Sequence, residues 1–399
     1  MPPPRRASPR TLARSAPPAV TAGPPLPEAG GILTIDLAAI AANYRILARR
    51  VIPAECAAVV KADGYGCGLD QVTATLASAG CKTFFVAQLD EARRVRARVP
   101  EAVIYVLNGF SAGTGPAFVE IGAQPVINSA VELAEWDQFM TISGWRGGMG
   151  LHVDTGMNRL GLSLDEAAAM ASRIHAGNHG ITLLMSHFAC SEQPEHALNA
   201  QQIQRFRQIR TLYRGIPASL ANSSGIFLGP GAHCDLVRPG AALYGVNPTP
   251  GARNPMQPVI DLKARIAQIR DIAKGETVGY GATWTAERVT KLAIIEAGYA
   301  DGYIRAAAAT AGEPGRQVLV ANTRCQIVGR VTMDLFAVDI TDLPIGAAHR
   351  GDLVTLIGGA FGVDEVGAQA GTIGYEILTG LGKRYHRWWL ETGTEIKPG

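Results

Sequence analysis

The sequence lacks an apolar run that could cross a membrane, because no window approaches the roughly 18 consecutive apolar residues that a spanning helix needs. Its six cysteines are scattered, with no CxxC pair and no metal-ligand spacing to histidine. This pattern is typical of reduced thiols and disfavours a disulfide framework or a structural metal site. The net charge is only +3, with much of the basic excess close to the N-terminus. A nucleic-acid-binding surface is therefore not indicated for the folded part.

The N-terminal segment is rich in proline and arginine and contains no apolar core of the kind that a secretory signal has. The pair Arg5-Arg6 is compatible with a twin-arginine signal, but prolines interrupt every apolar stretch that follows it. We therefore predict a disordered arm over residues 1–30 and a cytoplasmic protein.

Length and composition favour a globular enzyme of more than one domain. The chain has 399 residues, of which 47% are hydrophobic and 18% are charged. That balance is typical of a soluble globular protein, and the length exceeds what one ordinary core accommodates.

Most of the chain after the arm alternates between continuous apolar runs and amphipathic helical stretches. Asp36 is placed to cap a helix that runs to about Arg50. Strands without polar alternation, separated by helices, indicate a parallel sheet that is buried on both faces. So many units predict a closed (β/α)8 barrel over residues 31–260, with an open doubly wound sheet as the alternative. The expected strands include "ECAAVVKA", "KTFFVA", "AVIYVLN", "AQPVIN", "GLHVDTG", "GITLLMSHF" and "IPASLANSS".

The pattern changes after about Pro258. Short β-type runs separated by Gly, Pro and Asp turns follow one another, with almost no helix before "TIGYEILTGLG". We therefore predict a mostly β domain over residues 261–399.

Polar residues stand where the predicted barrel strands end. Each of them alone is an ordinary surface or structural group. Together they are placed to converge on one mouth of a barrel, where the loops that follow the strands build the site. Burying a lysine as a cation is costly, so a lysine at the end of an apolar strand either reaches solvent or serves chemistry. The set comprises Lys61, Arg159, His187, Asn222, Ser223 and Arg238.

Nine motifs in order resemble those of the bacterial alanine racemase family: "VVKADGYGCG", "HVDTGMNRLGL", "SHFAC", "ANSSGI", "VRPGAALYG", "VGYGATWTA", "GYADGY", "GRVTMD" and "TIGYEIL". The resemblance runs from about Ile32 to Trp389. It implies a barrel that binds pyridoxal 5'-phosphate (PLP) and a C-terminal β domain that completes the active site of the partner in a homodimer. The implied activity is the interconversion of L-alanine and D-alanine, which supplies D-alanine for peptidoglycan.

The resemblance also implies which residues bind the cofactor. Lys61 would hold PLP covalently and then act as a base, a role that needs a neutral amine. Glycines 64, 66 and 68 would let the backbone pass close to the cofactor. The remaining cofactor-binding residues implied are Tyr65, His187, Asn222, Ser223, Arg238, Gly240, Ala241 and Tyr375.

Arg238 is the most diagnostic of these residues. A guanidinium keeps its proton, so facing the pyridine nitrogen it would leave that nitrogen unprotonated and the ring a weaker electron sink. This favours racemisation over transamination.

A racemase needs acid-base groups on both faces of the reacting carbon. By resemblance, Lys61 serves one face and Tyr280 of the partner serves the other, with His187 placed between Tyr280 and Arg238. Arg159 and the partner's Met333 would bind the substrate carboxylate, and Tyr299 would narrow the entrance.

One position departs from the family pattern. His152 stands where many members have a lysine that becomes carbamylated and braces the arginine, so chloride, a neighbouring carboxylate or nothing would brace Arg159. Two other functions stay open: a broad-specificity or serine racemase on the same scaffold, and a non-catalytic PLP-carrier protein.

Overall fold

The structure is a computed structural model, and it describes residues 20–175, 180–308, 316–359 and 361–391. Among the helices in these ranges, none is both long enough and apolar enough to span a bilayer.

The described chain forms two sets of strands, numbered here in chain order. The first part contains β1 (Val20–Ala22), β2 (Gly31–Asp36), β3 (Glu55–Cys56), β4 (Ala58–Val59), β5 (Thr83–Val86), β6 (Val103–Val106), β7 (Gln124–Ile127), β8 (Met149–His152), β9 (Ile181–Met185), β10 (Ala218–Ser219) and β11 (Leu236–Val237). The second part contains β12 (Ile260–Ile272), β13 (Thr277–Val278), β14 (Trp284–Thr285), β15 (Thr290–Ile295), β16 (Gln317–Val320), β17 (Thr323–Val328), β18 (Phe336–Asp339), β19 (Leu353–Ile357) and β20 (His386–Leu390).

Most helices lie between the strands of the first part. They are α1 (Leu37–Val51), α2 (Lys61–Tyr65), α3 (Leu69–Ser78), α4 (Leu89–Arg98), α5 (Gly115–Ile121), α6 (Ala130–Ser143), α7 (Leu164–Met170), α8 (Ser172–His175) and α9 (Ala197–Leu212). Two more, α10 (Val363–Gln369) and α11 (Gly374–Gly380), precede β20. Short 3-10 turns occur at Gly225–Leu228, Pro230–Ala232, Ala241–Tyr244, Tyr280–Ala282, Tyr299–Asp301 and Arg305–Ala307.

The parallel strands close into a barrel. Strands β4 to β10 form one sheet in chain order, and β11 pairs in parallel with β3. A single residue, Ala57, separates β3 from β4, and its N–H donates to the Val237 carbonyl over 3.0 Å. On the other side the Asp235 N–H donates to the Ala218 carbonyl over 2.9 Å and joins β11 to β10. Counting β3 and β4 as one strand, the sheet has eight strands and no open edge. The predicted barrel is confirmed, and the open sheet is wrong.

The predicted N-terminal cap of the first helix is present. The Asp36 side chain accepts a hydrogen bond from the Ala39 N–H over 2.8 Å, which caps α1. The helix then buries Ile40, Tyr44 and Leu47 at helical spacing against the barrel.

The second part of the chain folds into a largely antiparallel sheet in the order β1-β20-β2-β12-β15-β18-β17-β16-β19. Strand β12 also pairs with β19, which closes six of these strands into a ring. The 13 residues of β12 meet three neighbours because register shifts at 262–263 and 266–268 bend the strand. The predicted mostly β domain is present, although α10 was not expected.

The structure differs from the sequence prediction at the end of the predicted arm and at the start of the predicted barrel. Residues 1–19 of the predicted arm lie outside the described residues, whereas residues 20–22 form β1 and pair with β20. Strand β2, assigned by prediction to the barrel, instead lies between β12 and β20 of the C-terminal sheet. Both of its partners lie beyond the whole barrel in sequence, so no local pattern signals this pairing.

Asn43 of α1 ties the barrel to the segment that leads into the second domain. Its side chain donates to the carbonyls of Leu243 (3.2 Å) and Gln257 (3.0 Å) and accepts from the Gln257 N–H over 2.7 Å. We expect Asn43→Ala to lower the free energy of unfolding by about 1–3 kcal/mol, because three backbone groups, one of them buried and two partly buried, lose their partner. The measurement is the midpoint of urea unfolding. Arg45→Ala on the exposed side of the same helix is the control, and equal effects of the two changes would contradict the prediction.

Candidate functional site

A cavity of about 830 Å³ opens where the barrel strands end. Its position matches the face of such barrels at which loops after the strands build active sites. The cavity brings together most of the side chains that the sequence singled out. Those that line it are Lys61, Tyr65, Arg159, His187, Asn222, Ser223, Arg238, Gly240, Ala241 and Tyr375.

Lys61 lies one residue after β4 and begins α2, most of which is a turn of left-handed backbone. Ala62 and Asp63 have φ values of 54°, and Tyr65 has a φ of 52°. Each non-glycine residue in this region costs about 1–2 kcal/mol, so the surroundings must hold the turn. Strand β20 supplies part of that support. Arg387 donates to the Gly66 carbonyl and Trp389 to the Cys67 carbonyl, each over 2.6 Å.

Two glycines of this turn have a structural role that the sequence prediction did not include. A Cβ at Gly66 would overlap the Leu378 carbonyl of α11, and a Cβ at Gly68 would lie 2.8 Å from the Trp389 ring. Both also have positive φ. They are required by the turn and by its packing against the C-terminal domain, which the motif alone could not indicate.

The environment of Lys61 favours its neutral form. Burial lowers the pKa of the Lys61 amine, the nearby Arg159 guanidinium lowers it further, and the Glu91 carboxylate opposes both. A neutral amine is the form that can attack a carbonyl carbon or accept a proton.

Arg238 lies buried at the bottom of the cavity, with 3% of its surface exposed. It donates to the Ser219 hydroxyl, to the Ser186 carbonyl over 2.6 Å and to His187 Nδ1 over 3.2 Å. Because a guanidinium only donates, Nδ1 of His187 accepts, and the proton of the neutral imidazole is on Nε2. Burial lowers the pKa of Arg238 to about 10, so it stays a cation at neutral pH.

His187 is held neutral. Burial, followed by the charge of Arg238, lowers the pKa of its imidazole well below the ordinary value. The predicted contact between His187 and Arg238 is therefore present. The predicted contact between His187 and Tyr280 does not occur within one chain.

Hydroxyl groups gather at the side of the cavity next to the turn Ala241–Tyr244. The Ser223 hydroxyl accepts from the Gly240 N–H (3.0 Å) and from the Ala242 N–H (3.2 Å). A Cβ at Gly240 would overlap the Tyr65 hydroxyl, so the backbone approaches that side chain closely. The rings of Tyr65 and Tyr375 lie 6.3 Å apart, and burial raises the pKa of Tyr375 to about 12, which keeps it a donor.

Two predicted cofactor-binding residues also make hydrogen bonds within the cavity wall. The Gly240 N–H donates to the Ser223 hydroxyl, which also accepts from the Ala242 N–H. The Asn222 carbonyl oxygen accepts from the Ser191 hydroxyl (2.9 Å) and from the Gly225 N–H (2.8 Å). Asn222 thus shapes the loop at the cavity wall through that oxygen.

The groups present fit the chemistry of PLP. Three hydroxyl donors beside a turn of backbone suit a phosphate dianion, and a half-buried lysine of lowered pKa suits an aldehyde. No cluster of three or more His, Cys, Asp or Glu side chains that could hold a metal ion occurs among the described residues.

Arg159 extends from a loop that its own neighbours hold in place. The Asp154 carboxylate accepts from the N–H groups of Gly156 (2.8 Å) and Met157 (2.9 Å), which fixes the loop. The guanidinium itself forms no hydrogen bond or ion pair with any described residue. The structure thus offers no carboxylate as the brace that the sequence left open.

His152 faces the same cavity as a neutral group. The Asn128 amide donates to the Val126 carbonyl over 2.7 Å, so its oxygen accepts from His152 Nδ1 over 2.8 Å. Burial, then the charge of Arg238, lowers the pKa of His152 to about 4. Its unprotonated Nε2 is therefore the available acceptor on this wall.

Three predicted residues lie away from the cavity of their own chain. Tyr280 is 74% exposed and Met333 is 52% exposed, both on the surface of the C-terminal domain. Tyr299 lies beside Met333, since the Ala300 N–H donates to the Met333 carbonyl over 3.0 Å. Arg384 stabilises the loops of this surface, because it donates to the carboxylates of Asp301 over 2.6 and 2.8 Å and of Asp334 over 2.8 Å.

The sequence reasoning missed the residues that support the lysine turn. Arg387 and Trp389 lie near the opposite end of the chain from Lys61 and carry no local signal. A capping role for Glu91 was predictable, because it is the third helical residue of α4, where a capping carboxylate is common. Its hydrogen bond to Ala62 was not predictable from the local sequence.

The chain is similar to known proteins over most of its length. The family described as alanine racemase, N-terminal domain, matches residues 35–248, and the family described as alanine racemase, C-terminal domain, matches residues 259–389. The alanine racemase of Methylobacterium nodulans is 53% identical over 362 residues, which cover 91% of this chain and 96% of that protein. A catabolic alanine racemase of Mesorhizobium japonicum is 47% identical over 364 residues, covering 91% and 94%. The crystal structure of alanine racemase from Bartonella henselae, with covalently bound pyridoxal phosphate, superposes with a TM-score of 0.86 at 38% identity, covering 91% and 100%.

The neutral state of His152 should make stability depend on pH. Above about pH 6.5 the imidazole is neutral in both states. Between about 6.5 and about 4 the unfolded chain binds a proton that the folded protein does not, so stability falls as pH falls. The loss is on the order of 3 kcal/mol at 1.4 kcal/mol per pH unit.

His152→Asn keeps a donor near Asn128 and removes this titration. We expect its urea midpoint to fall less between pH 7.5 and pH 4.5 than that of the unmodified protein. His187 titrates in both proteins, so the difference between them reports His152. Parallel pH profiles would contradict the prediction.

Proposed function

The chain belongs to the alanine racemase family, and from this membership we propose that it interconverts L-alanine and D-alanine with PLP as cofactor. The observation that carries the proposal is the set of groups that line one cavity. A lysine of lowered pKa, a group of hydroxyl donors, a buried guanidinium and a second guanidinium without a partner among the described residues all face it.

Bound at this site, PLP would draw electrons from Cα of the amino acid and make its α-proton removable. Lys61 would hold the cofactor, and Tyr65, Ser223 and Tyr375 would bind its phosphate. Arg238 would face the ring nitrogen, where a group that only donates hydrogen bonds leaves that nitrogen unprotonated. These assignments favour proton exchange at Cα over transfer of the amino group.

Lys61 Nζ would accept the α-proton on one face of Cα. Its lowered pKa supports this role, because it increases the fraction of neutral amine that can accept a proton. Arg159 has no partner among the described residues and would bind the substrate carboxylate, where a fixed cation orients the substrate and stabilises developing charge.

The second base would come from the other subunit of a homodimer. Tyr280, Tyr299 and Met333 lie on the exposed surface of the C-terminal domain and not at the cavity of their own chain. The Met333 N–H has no hydrogen-bond partner within the described chain and would be free to meet a carboxylate. In this proposal residues 261–399 complete the partner's site, with the Tyr280 hydroxyl on the second face of Cα.

The Nε2–H of His187 supports this arrangement. Because Nδ1 accepts from Arg238, the other nitrogen carries the proton and can donate to a tyrosine oxygen. A donor of this kind stabilises the phenolate and makes Tyr280 a better base.

Two alternatives keep the same fold. A broad-specificity racemase would use the same groups with a wider substrate pocket between Tyr299 and Met333. A PLP-carrier protein would not need the exposed Tyr280, which is the observation against it. For location we propose the cytoplasm, because all six cysteines are free thiols.

Incubation of the purified protein with PLP in deuterated water tests the function. L-alanine should exchange its α-proton and yield D-alanine, whereas L-serine should yield at least about tenfold less product, because the extra hydroxyl must fit a pocket built for a methyl group. Chiral chromatography with mass detection measures both.

Lys61→Ala is the matched control and should lose the exchange together with the absorbance of covalently bound cofactor. Comparable turnover of serine would widen the specificity to a general racemase. Bound PLP without exchange would refute the racemase and favour the carrier.

Mixing two inactive variants tests the shared site. Random assembly of Lys61→Ala and Tyr280→Ala chains gives one half mixed dimers, each with one intact site of two, so about a quarter of full activity should return. The measurement is the rate after the two proteins are unfolded and refolded together. Absence of recovery, with dimers present by light scattering, would place both residues in the same chain's site.

A further inference from the structure

The carboxylate of Glu91 links two neighbouring loops of the barrel. Its Oε1 accepts from the Ala62 N–H over 2.6 Å, and its Oε2 accepts from the N–H groups of Ala87 (2.8 Å) and Gln88 (3.2 Å). The second pair is the usual capping of the N-terminus of α4. The first contact leaves that helix and reaches the residue that directly follows Lys61.

The Ala62 N–H has no other acceptor in the described chain. Within the left-handed turn, the Gly64 N–H donates to the Val60 carbonyl and the Gly66 N–H to the Ala62 carbonyl, but the Ala62 N–H points out of this pattern. Ala62 has the φ of 54° that an alanine rarely adopts. Glu91 therefore satisfies the polar group at the point where the strain begins.

A second side chain of α4 supports the same turn. Arg94 Nη1 binds the Asp63 carboxylate over 2.9 Å, and that carboxylate also accepts from the Leu69 N–H over 3.1 Å. Glu91 and Arg94 are three residues apart and thus lie on one face of the helix. The turn is held by α4 on one side and by Arg387 and Trp389 of β20 on the other.

We propose that Glu91 is a positioning residue for the racemase reaction, which fixes the direction of the Lys61 side chain by holding the residue after it. The effect on catalysis rests on the proposed function. The support of a strained turn by the Glu91 carboxylate rests only on the observed hydrogen bonds.

The same carboxylate acts on the proton affinity of Lys61. The charged groups that act on the Lys61 amine are Arg159 from the cavity and Glu91 from α4. Burial and Arg159 lower the pKa of Lys61, whereas Glu91 raises it. Removal of the Glu91 charge should therefore move the protonation midpoint of the lysine nitrogen to lower pH.

The barrel contains a matched control. Glu132 of α6 accepts from the Phe110 N–H of the preceding loop and from the Asn128 N–H (2.7 Å) at its own helix start. Both carboxylates are half-buried and both join adjacent loops. They differ in the loop that they contact. Glu91 binds the residue next to Lys61, whereas Glu132 binds Phe110.

Glu91→Gln keeps the size of the side chain but removes the charge and one accepting oxygen. In the cofactor-loaded protein, we expect amide exchange in a peptide that spans residues 60–66 to become at least about tenfold faster. The pH midpoint of the bound cofactor's absorbance should move down by about half a unit. The kcat for L-alanine should fall about tenfold or more with a smaller change in KM, because the lysine is misplaced rather than the substrate.

Glu132→Gln should accelerate exchange around residues 108–111 instead and leave the absorbance midpoint unchanged. Unchanged exchange at residues 60–66 in Glu91→Gln would overturn the proposal. So would an equal shift of the midpoint in the two variants. If exchange and midpoint change as expected in a protein that racemises no amino acid, the positioning role stands and the proposed function fails.

Discussion

A buried guanidinium without a carboxylate partner is the constraint on which the rest of the site depends. Within the described chain, Arg238 is satisfied by a hydroxyl, two carbonyls and an imidazole nitrogen, all of them neutral. Its charge therefore acts on the neighbouring imidazoles. It helps to keep His187 and His152 neutral, and the charge of Arg159 lowers the pKa of Lys61. A cavity with this excess of positive charge favours ligands that bring phosphate and carboxylate groups.

The C-terminal domain has two relations to that cavity. Through β20 it holds the turn of Lys61 in its own chain, with Arg387 and Trp389 bound to carbonyls of the turn. Through the surface around Tyr280 and Met333 it presents side chains that its own cavity does not use. The same domain thus supports one site mechanically and, in the proposed dimer, supplies chemistry to another.

The sequence predicted the elements better than their assembly. Continuous apolar runs such as "TFFV" identified the barrel strands, and the polar residues after them identified the cavity wall, because the period of the pattern and the ends of parallel strands are local properties. The position of β2 was not predictable in this way, since its alternating pattern fits any half-buried strand and its partners are distant. The hydrogen bond from the Ala242 N–H to the Ser223 hydroxyl and the structural use of the Asn222 oxygen depend on loop geometry that residue types do not specify.

By itself, the sequence determined the fold class, the family and the identity of the charged groups at the cavity, because these follow from apolar periodicity and from the order of motifs along the chain. Only the tertiary structure decided how those groups are held. The reach of Glu91 to Ala62, the packing of Gly66 against α11 and the neutral tautomer of His152 all arise where distant segments meet. Burial and hydrogen-bond partners set pKa values and backbone strain, and both are properties of the packed chain.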